Sequence, residues 1–443
     1  MHNRTIAKKT AYFEGGYNLK ILSENKHELD GLVLHTIKTE KYKTNTILLK
    51  LSAPLEEETV THRALLPYVL QSATASLSSS KELQGYLEDL YGASLQVDLM
   101  KKGEHHVMTF RVDVANEKYL RDQTPLLEKS LRLLGDVLTD PLLENGVFKE
   151  DIVAKEKRAL KQRIQAVFDD KMRYANLRLV EEMCKNEPYH LHVNGRLEDI
   201  EGITAQSLYD YYKKMLTENS ADLYVIGDIQ EDEVVQYTKD IFSFEKRGVS
   251  KISPPAQMSV EKENVVEEKQ PVKQGKLNMG YRTNIVYGDD DYFALQVYNG
   301  IYGGFSHSKL FANVREKESL AYYAASRVES HKGLLMVMSG IDMKNYDKAV
   351  SIIKEQSEAM KNGDFDENTL SQTKAVIRNQ LLETVDTARG LVEVMYHNEL
   401  TENKVSIDEY LKRIEAVTKE EVVAVAQKVQ LDTIYFLKGE GGE

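Results

Sequence analysis

Cysteine is almost absent from this chain: Cys184 stands alone among 443 residues. No internal disulfide can form, which points to a reducing, cytoplasmic setting. Cys184 lies in a polar helical run, Glu181-Glu182-Met183-Cys184-Lys185, that does not mark it as a nucleophile. Apolar runs of the roughly 18 residues a membrane helix needs are also missing. Met1–Thr10 is polar and basic, so no secretory signal is expected. Basic runs are missing too. With a formal net charge of −12 and a pI near 5.6, nucleic acid is excluded as a main partner, and a cationic or neutral polypeptide is left. Proline is scarce: three of the eight, Pro254, Pro255 and Pro271, fall in one stretch, and none follows.

What is present, 42% hydrophobic and 29% charged residues over this length, fits a soluble globular protein of two or more domains. The proline-bearing stretch, residues 244–274, carries Glu/Lys/Gln runs without sustained periodicity and reads as an extended linker. It separates an N-terminal domain, 1–243, from a C-terminal one, 275–443.

The two parts share an order of elements. Gly146-Val-Phe148-Lys-Glu opens a long helical pattern that reaches about Lys185. Gly363-Asp-Phe365-Asp-Glu opens another that reaches about Asn398, at an offset of 363 − 146 = 217. Leu197–Thr204 matches Leu411–Thr418 at 418 − 204 = 214, each Thr placed to cap a following helix. An apolar strand then closes each part, at Ala221–Gly227 and Asp432–Lys438. A nearly constant offset argues for internal duplication. Alternating runs around Lys101-Lys102-Gly103-Glu104-His105 and around Ser330-His331-Lys332 read as hairpins. The expected fold class is α+β: two homologous domains, each a mostly antiparallel sheet with helices on one face.

The most informative stretch is Gly303-Gly304-Phe305-Ser306-His307-Ser308-Lys309-Leu310-Phe311, followed by Arg315 and Leu320-Ala321-Tyr322. Joined to the landmarks Phe148 and Gly195…Ile200…Thr204, it resembles the M16 metallopeptidases, the pitrilysin, insulinase and mitochondrial processing peptidase group. The resemblance covers nearly the whole chain and implies the M16 peptidase fold.

Catalytic members of that family carry His-x-x-Glu-His on an early helix. The two His and a distal Glu hold zinc, and the first Glu is the general base. Here the matching segment is Thr61-His62-Arg63-Ala64-Leu65-Leu66-Pro67-Tyr68. The resemblance places the first ligand position on Ala64, the base on Pro67, the second ligand on Tyr68 and the distal ligand on Arg163. Ala and Pro offer no donor atom, and Pro67 also removes a helix hydrogen bond unless it lies in the first turn. Glu156 keeps an outer carboxylate, which alone does not make a site. No zinc or other cofactor is therefore expected in this chain.

Other histidines do not supply one. His62 lacks an i+4 partner and reads as solvated or capping. Glu104-His105-His106 sits at a hairpin tip. His190 and His192 precede Gly195 in a loop that reads as structural. The Gly303-Gly304 pair fits no phosphate-binding pattern.

The resemblance implies that Arg315 and Tyr322 match an Arg/Tyr pair that binds substrate backbone and the oxyanion. It further implies the zinc-free subunit of a heterodimer, acting on unfolded peptide beside an M16 homologue that carries the zinc motif. Ser306, His307 and Ser308 either line the chamber or face that partner. The competing class is a non-catalytic scaffold or peptide-binding protein in a modification or export pathway; a stand-alone zinc peptidase is least favoured.

Overall fold

The computed structural model describes residues 22–122, 124–242, 244 and 255–439. The segment Met1–Thr10 and part of the expected linker, Pro254 included, lie outside the described residues.

In the first part of the chain, β1 (Asn25–Leu29), β2 (Leu32–Lys38) and β3 (Thr44–Pro54) lead into α1 (Val60–Ser72) and α2 (Ser80–Asp89). The hairpin β4 (Ser94–Lys102) and β5 (His105–Ala115) follows, then α3 (Leu126–Thr139) and the two-residue strands β6 (Leu143–Glu144) and β7 (Val147–Phe148). Then come α4 (Glu150–Asp169), α5 (Lys171–Met183), α6 (Ala205–Glu218), β8 (Ser220–Gly227) and α7 (Glu231–Ile241). The sheet order is β1-β2-β8-β3-β5-β4, antiparallel except for β2 beside β8.

The second part gives β9 (Asn264–Gln270), β10 (Gly275–Arg282), α8 (Tyr292–Asn299), β11 (Ala321–Glu329), β12 (Leu334–Ile341), α9 (Tyr346–Lys361), α10 (Glu367–Val385), α11 (Ala388–Tyr396), α12 (Ile407–Ala416), α13 (Lys419–Lys428) and β13 (Gln430–Gly439). Its sheet runs β11-β12-β10-β13-β9. The expected α+β architecture of two antiparallel-rich sheets with helices is what the chain adopts. The expected linker is corrected over part of its length. Residues 264–270 form β9, which pairs parallel with β13 at the sheet edge. Its charged, alternately exposed residues suit an edge and hide its β character.

The duplication shows at the level of caps. Thr204 and Thr418 each close a capping box at the start of α6 and α13. Gly146 and Gly363 hold φ of +82° and +69° ahead of α4 and α10, a conformation that strains any residue with a Cβ.

Each long helical pattern is in fact two helices. The first helix of each pair ends at the same place, 385 − 169 = 216 residues apart. Asp170 caps α5 by accepting from Met172 and Arg173 N–H, both at 3.1 Å. Thr387 caps α11 by accepting from Gly390 N–H at 3.0 Å.

After the break, each second helix leaves its own sheet. Tyr174, Ala175, Leu179, Val180 and Met183 of α5 pack on Leu334 and Met336 of β12 and on Tyr435 and Leu437 of β13. Leu391, Val392 and Tyr396 of α11 pack on Ile37, Leu48, Val107, Tyr224 and Ile226 of the first sheet. The other face of the first sheet carries its own helices, with Ile47, Leu49, Leu51 and Phe110 against Leu65, Leu66, Leu131 and Leu134.

The exchange explains a fully buried lysine in a central strand. Lys50 of β3 reaches Glu393 of α11 at 2.6 Å and lies 4.7 Å from the centre of the Tyr396 ring. On the other side, Arg282 of β10 donates to both oxygens of Glu187, at 2.6 and 3.0 Å, and pairs with Asp432 at 2.8 Å. Lys332 joins Glu187 at 2.6 Å.

Candidate functional site

Helix α1 is buried on nearly every side, as its run of Val60, Leu65, Leu66, Val69 and Leu70 requires. Pro67 lies in the middle of its 13 residues, not in the first turn, so an internal hydrogen bond is given up. Arg63 ties the helix down. It is 1% exposed and donates to Leu51 C=O at 2.6 Å, to His106 C=O at 2.9 and 3.1 Å, to the Tyr211 hydroxyl at 3.0 Å and to Asn219 Oδ1.

The residues that the resemblance assigns to the zinc positions, Ala64, Pro67, Tyr68 and Arg163, lie near one another. Ala64 and Pro67 are buried and contribute no donor atom. Tyr68, half-buried, faces α4, and the Arg163 guanidinium lies on its ring at 3.6 Å from the centroid. Burial raises the Tyr68 phenol pKa, and the Arg163 charge offsets only part of that rise. Glu156 accepts from Ser72 Oγ at 3.2 Å and pairs with Lys155 at 3.2 Å. A neutral phenol, a methyl group, a proline and a cation do not fit zinc, which takes anionic or neutral N, O and S donors. The described residues do hold one other cluster of carboxylates and histidine, Glu24, His35 and Glu399, but Lys26 already pairs with Glu399 there.

The segment with the Arg/Tyr pair is built with local strain. After α8, residues 300–304 and 311–317 wind as π-helix, a wide turn that recurs at functional sites. Gly303 is pressed onto β11, where a Cβ would come within 2.6 Å of Ser326 Oγ; the glycine pair serves packing, not phosphate. Between Arg315 and Tyr322 the chain turns through Ser319 at φ +51°, closed by Leu320 N–H donating to Val314 C=O at 3.0 Å. Arg315 lies over the Phe311 ring at 4.6 Å, with Glu316 at 3.4 Å, and its side chain stays 43% exposed. Tyr322 is 81% exposed at the start of the edge strand β11, the most exposed large hydrophobic side chain among the described residues.

Several expectations need correction. Ser308 is fully buried and its Oγ accepts from Phe311 N–H at 3.3 Å. His307 bonds to Thr373 Oγ1 at 2.8 Å, so of the three only Ser306 is exposed. His62 is neither solvated nor a cap: it is half-buried and meets Ser207 Oγ at 3.2 Å. The β4–β5 hairpin forms with its turn at Gly103-Glu104, but His106, two residues into β5, is fully buried on the face that carries Met108 and Phe110, beside Arg63. Cys184 is fully buried at the end of α5, and burial pushes its thiol up to about 12, which leaves it inert. The Tyr68–Arg163 stack gave no signal in the sequence, because 163 − 68 = 95 residues separate its two sides.

Residues 202–377, spanning the second portion of one sheet unit and the first of the other, match the family model described as Peptidase M16 inactive domain. The chain is 55% identical over 425 residues to "Probable inactive metalloprotease YmfF" of Bacillus subtilis, with 96% of this chain and 100% of that protein covered. The chain belongs to the M16 peptidase family. It is an inactive-type M16 homologue. A crystal structure of a conserved protein from Enterococcus faecalis V583 superposes with a TM-score of 0.87 at 36% identity, covering 95% of this chain and 99% of that one. The antilisterial bacteriocin subtilosin biosynthesis protein AlbE of Bacillus subtilis is 24% identical over 292 residues, 65% of this chain and 72% of that protein. No helix among the described residues is long and apolar enough to cross a membrane.

Proposed function

We propose that the chain is the zinc-free, Arg315/Tyr322-bearing subunit of a cytoplasmic heterodimeric M16-type peptidase. It binds unfolded peptide and assists hydrolysis at the zinc of a homologous partner. The observation that carries this reading is Tyr322: an aromatic side chain 81% exposed, on an edge strand, seven residues from an exposed Arg and behind a strained turn. The core does not need it there, and a phenol and a guanidinium so placed can donate to a peptide carbonyl or oxyanion.

The test mixes the purified chain with an M16 homologue from the same organism that carries His-x-x-Glu-His and follows cleavage of an unfolded peptide. Arg315→Ala and Tyr322→Phe are expected to lower kcat by about 10²-fold each, with the unfolding temperature of the chain unchanged. Equal rates with wild type and both variants would sink the proposal.

The likeness to AlbE, whose name places it in bacteriocin biosynthesis, favours a second reading as a non-catalytic peptide-binding or scaffold protein in a modification or export pathway. That reading expects peptide binding by the chain and no cleavage in any mixture.

A further inference from the structure

We propose that the lost zinc position has become a carboxylate-binding site built on Arg163, which takes a carboxylate of the bound peptide; this rests on the peptide-binding reading above. Among the described residues Arg163 makes no ion pair and no hydrogen bond, and its Nε and Nη2 are buried without an acceptor. Leaving guanidinium donors unmet in a half-buried setting is costly, and such groups call for an explanation. Nε and Nη2 form one edge of the guanidinium, the pair that takes both oxygens of a carboxylate side-on; that edge is covered by the chain itself, so a carboxylate that binds there displaces what lies over it. The plane is already set, because the Tyr68 ring holds it at 3.6 Å.

The neighbouring carboxylates are engaged elsewhere. Glu156, two helical turns earlier on α4, is held by Ser72 at 3.2 Å and Lys155 at 3.2 Å. Asp98 on the edge strand β4 pairs with Arg389 at 3.3 Å. The fold also shows what a purely structural buried arginine looks like here: Arg63 and Arg282 donate to acceptors on several sides. Arg163 differs from both, and Ala64, one turn from Tyr68, adds no competing polar group.

The carboxylate has two possible sources, a peptide's C-terminus or an Asp/Glu side chain. A fluorescein-labelled basic decapeptide is therefore used in three forms: free C-terminus, amidated, and amidated with one internal Glu. Binding is read by fluorescence anisotropy. Acetate against chloride at equal ionic strength is read separately as a shift in unfolding temperature. The free-acid form, the Glu form or both are expected to bind at least tenfold tighter than the plain amidated form. Arg163→Met removes that difference, Arg163→Lys restores part of it, and Tyr68→Phe keeps it. Which form gains identifies the source. Circular dichroism and the unfolding temperature establish that each variant is folded.

If all three forms bind alike and Arg163→Met changes nothing, the carboxylate site is wrong while peptide binding stands. If no form binds but acetate raises the unfolding temperature of wild type and not of Arg163→Met, the peptide reading falls and the carboxylate site stands. If no form binds and acetate does nothing, both fall.

Discussion

At the residue scale, the chain pairs most of its buried charges, and the pairs join the two sheets. Glu187 is the clearest: burial favours its neutral form, but hydrogen bonds from Arg282 and Lys332 outweigh that, and its pKa lies below the usual range. Glu187→Ala takes one partner from each of two cations that are 3% and 1% exposed in their side chains, leaving Arg282 with Asp432 and Lys332 with Glu104. Removing a buried hydrogen-bond partner costs about 1–3 kcal/mol, so a loss of that size is expected in urea unfolding at neutral pH. A loss under about 1 kcal/mol would place Glu187 with ordinary surface pairs. Acid has the same effect by protonation. This contribution is fully present above the unfolded carboxylate pKa and is lost as pH falls through the depressed folded value.

At the scale of elements, the breaks between α4 and α5 and between α10 and α11 decide which sheet each helix covers. Asp170 satisfies two N–H groups at the start of α5. Its replacement by Ala is expected to cost about 1 kcal/mol, measured by chemical denaturation; an unchanged midpoint would mean that water replaces the cap fully. The sequence shows the Thr204 and Thr418 caps, the two hairpins, the closing strands and the duplication offset. It does not show the breaks, because Asp170 sits in an unbroken amphipathic pattern with neither Gly nor Pro beside it. Nor does it show β9, whose exposed Glu and Lys read as linker. The Arg/Tyr segment was legible as a motif. What was not legible is its π-helical winding, since π and α turns differ by backbone hydrogen-bond register and not by residue type.

At the scale of the molecule, the junction between the two sheets is rich in neutral histidine. His331 Nε2 and His397 Nδ1 lie 2.6 Å apart, with the Tyr287 ring stacked on His397. Burial lowers the pKa of His331 to about 3 and that of His397 well below the ordinary value, and Lys102 adds to both effects. His106 and His192 are lowered too, by burial first and then by the cations Arg63 and Lys101 for His106 and by Lys101 for His192, the last to about 4. Groups lowered in this way lend stability above the unfolded value near 6.5, and that stability drains away as pH falls toward the folded values. His35 acts in the opposite sense: burial lowers it, but hydrogen bonds to Asp222 and Glu24 leave it raised, so its contribution is lost as pH rises. Burial lowers His62, His105 and His307 as well, and with seven lowered against one raised, unfolding free energy is expected to drop between pH 6.5 and 4.5. The slope should exceed the roughly 1.4 kcal/mol per pH unit of a single histidine. A flat profile from urea titrations across that window would contradict this account.

The exchange of α5 and α11 also sets an order for biosynthesis. When residue 243 leaves the ribosome, the first sheet has strands and one layer of helices, but Leu48, Tyr224 and Ile226 still face water. The helix that covers them lies some 150 residues downstream, 391 − 243 = 148 to Leu391. At about 5–20 residues per second, the nascent first half keeps that apolar face open for roughly 7–30 seconds. A stop codon or ribosomal stall anywhere in that interval releases a fragment with a sticky sheet face. The duplicated gene therefore encodes one translational unit, and a chaperone that holds that face has a defined window in which to act.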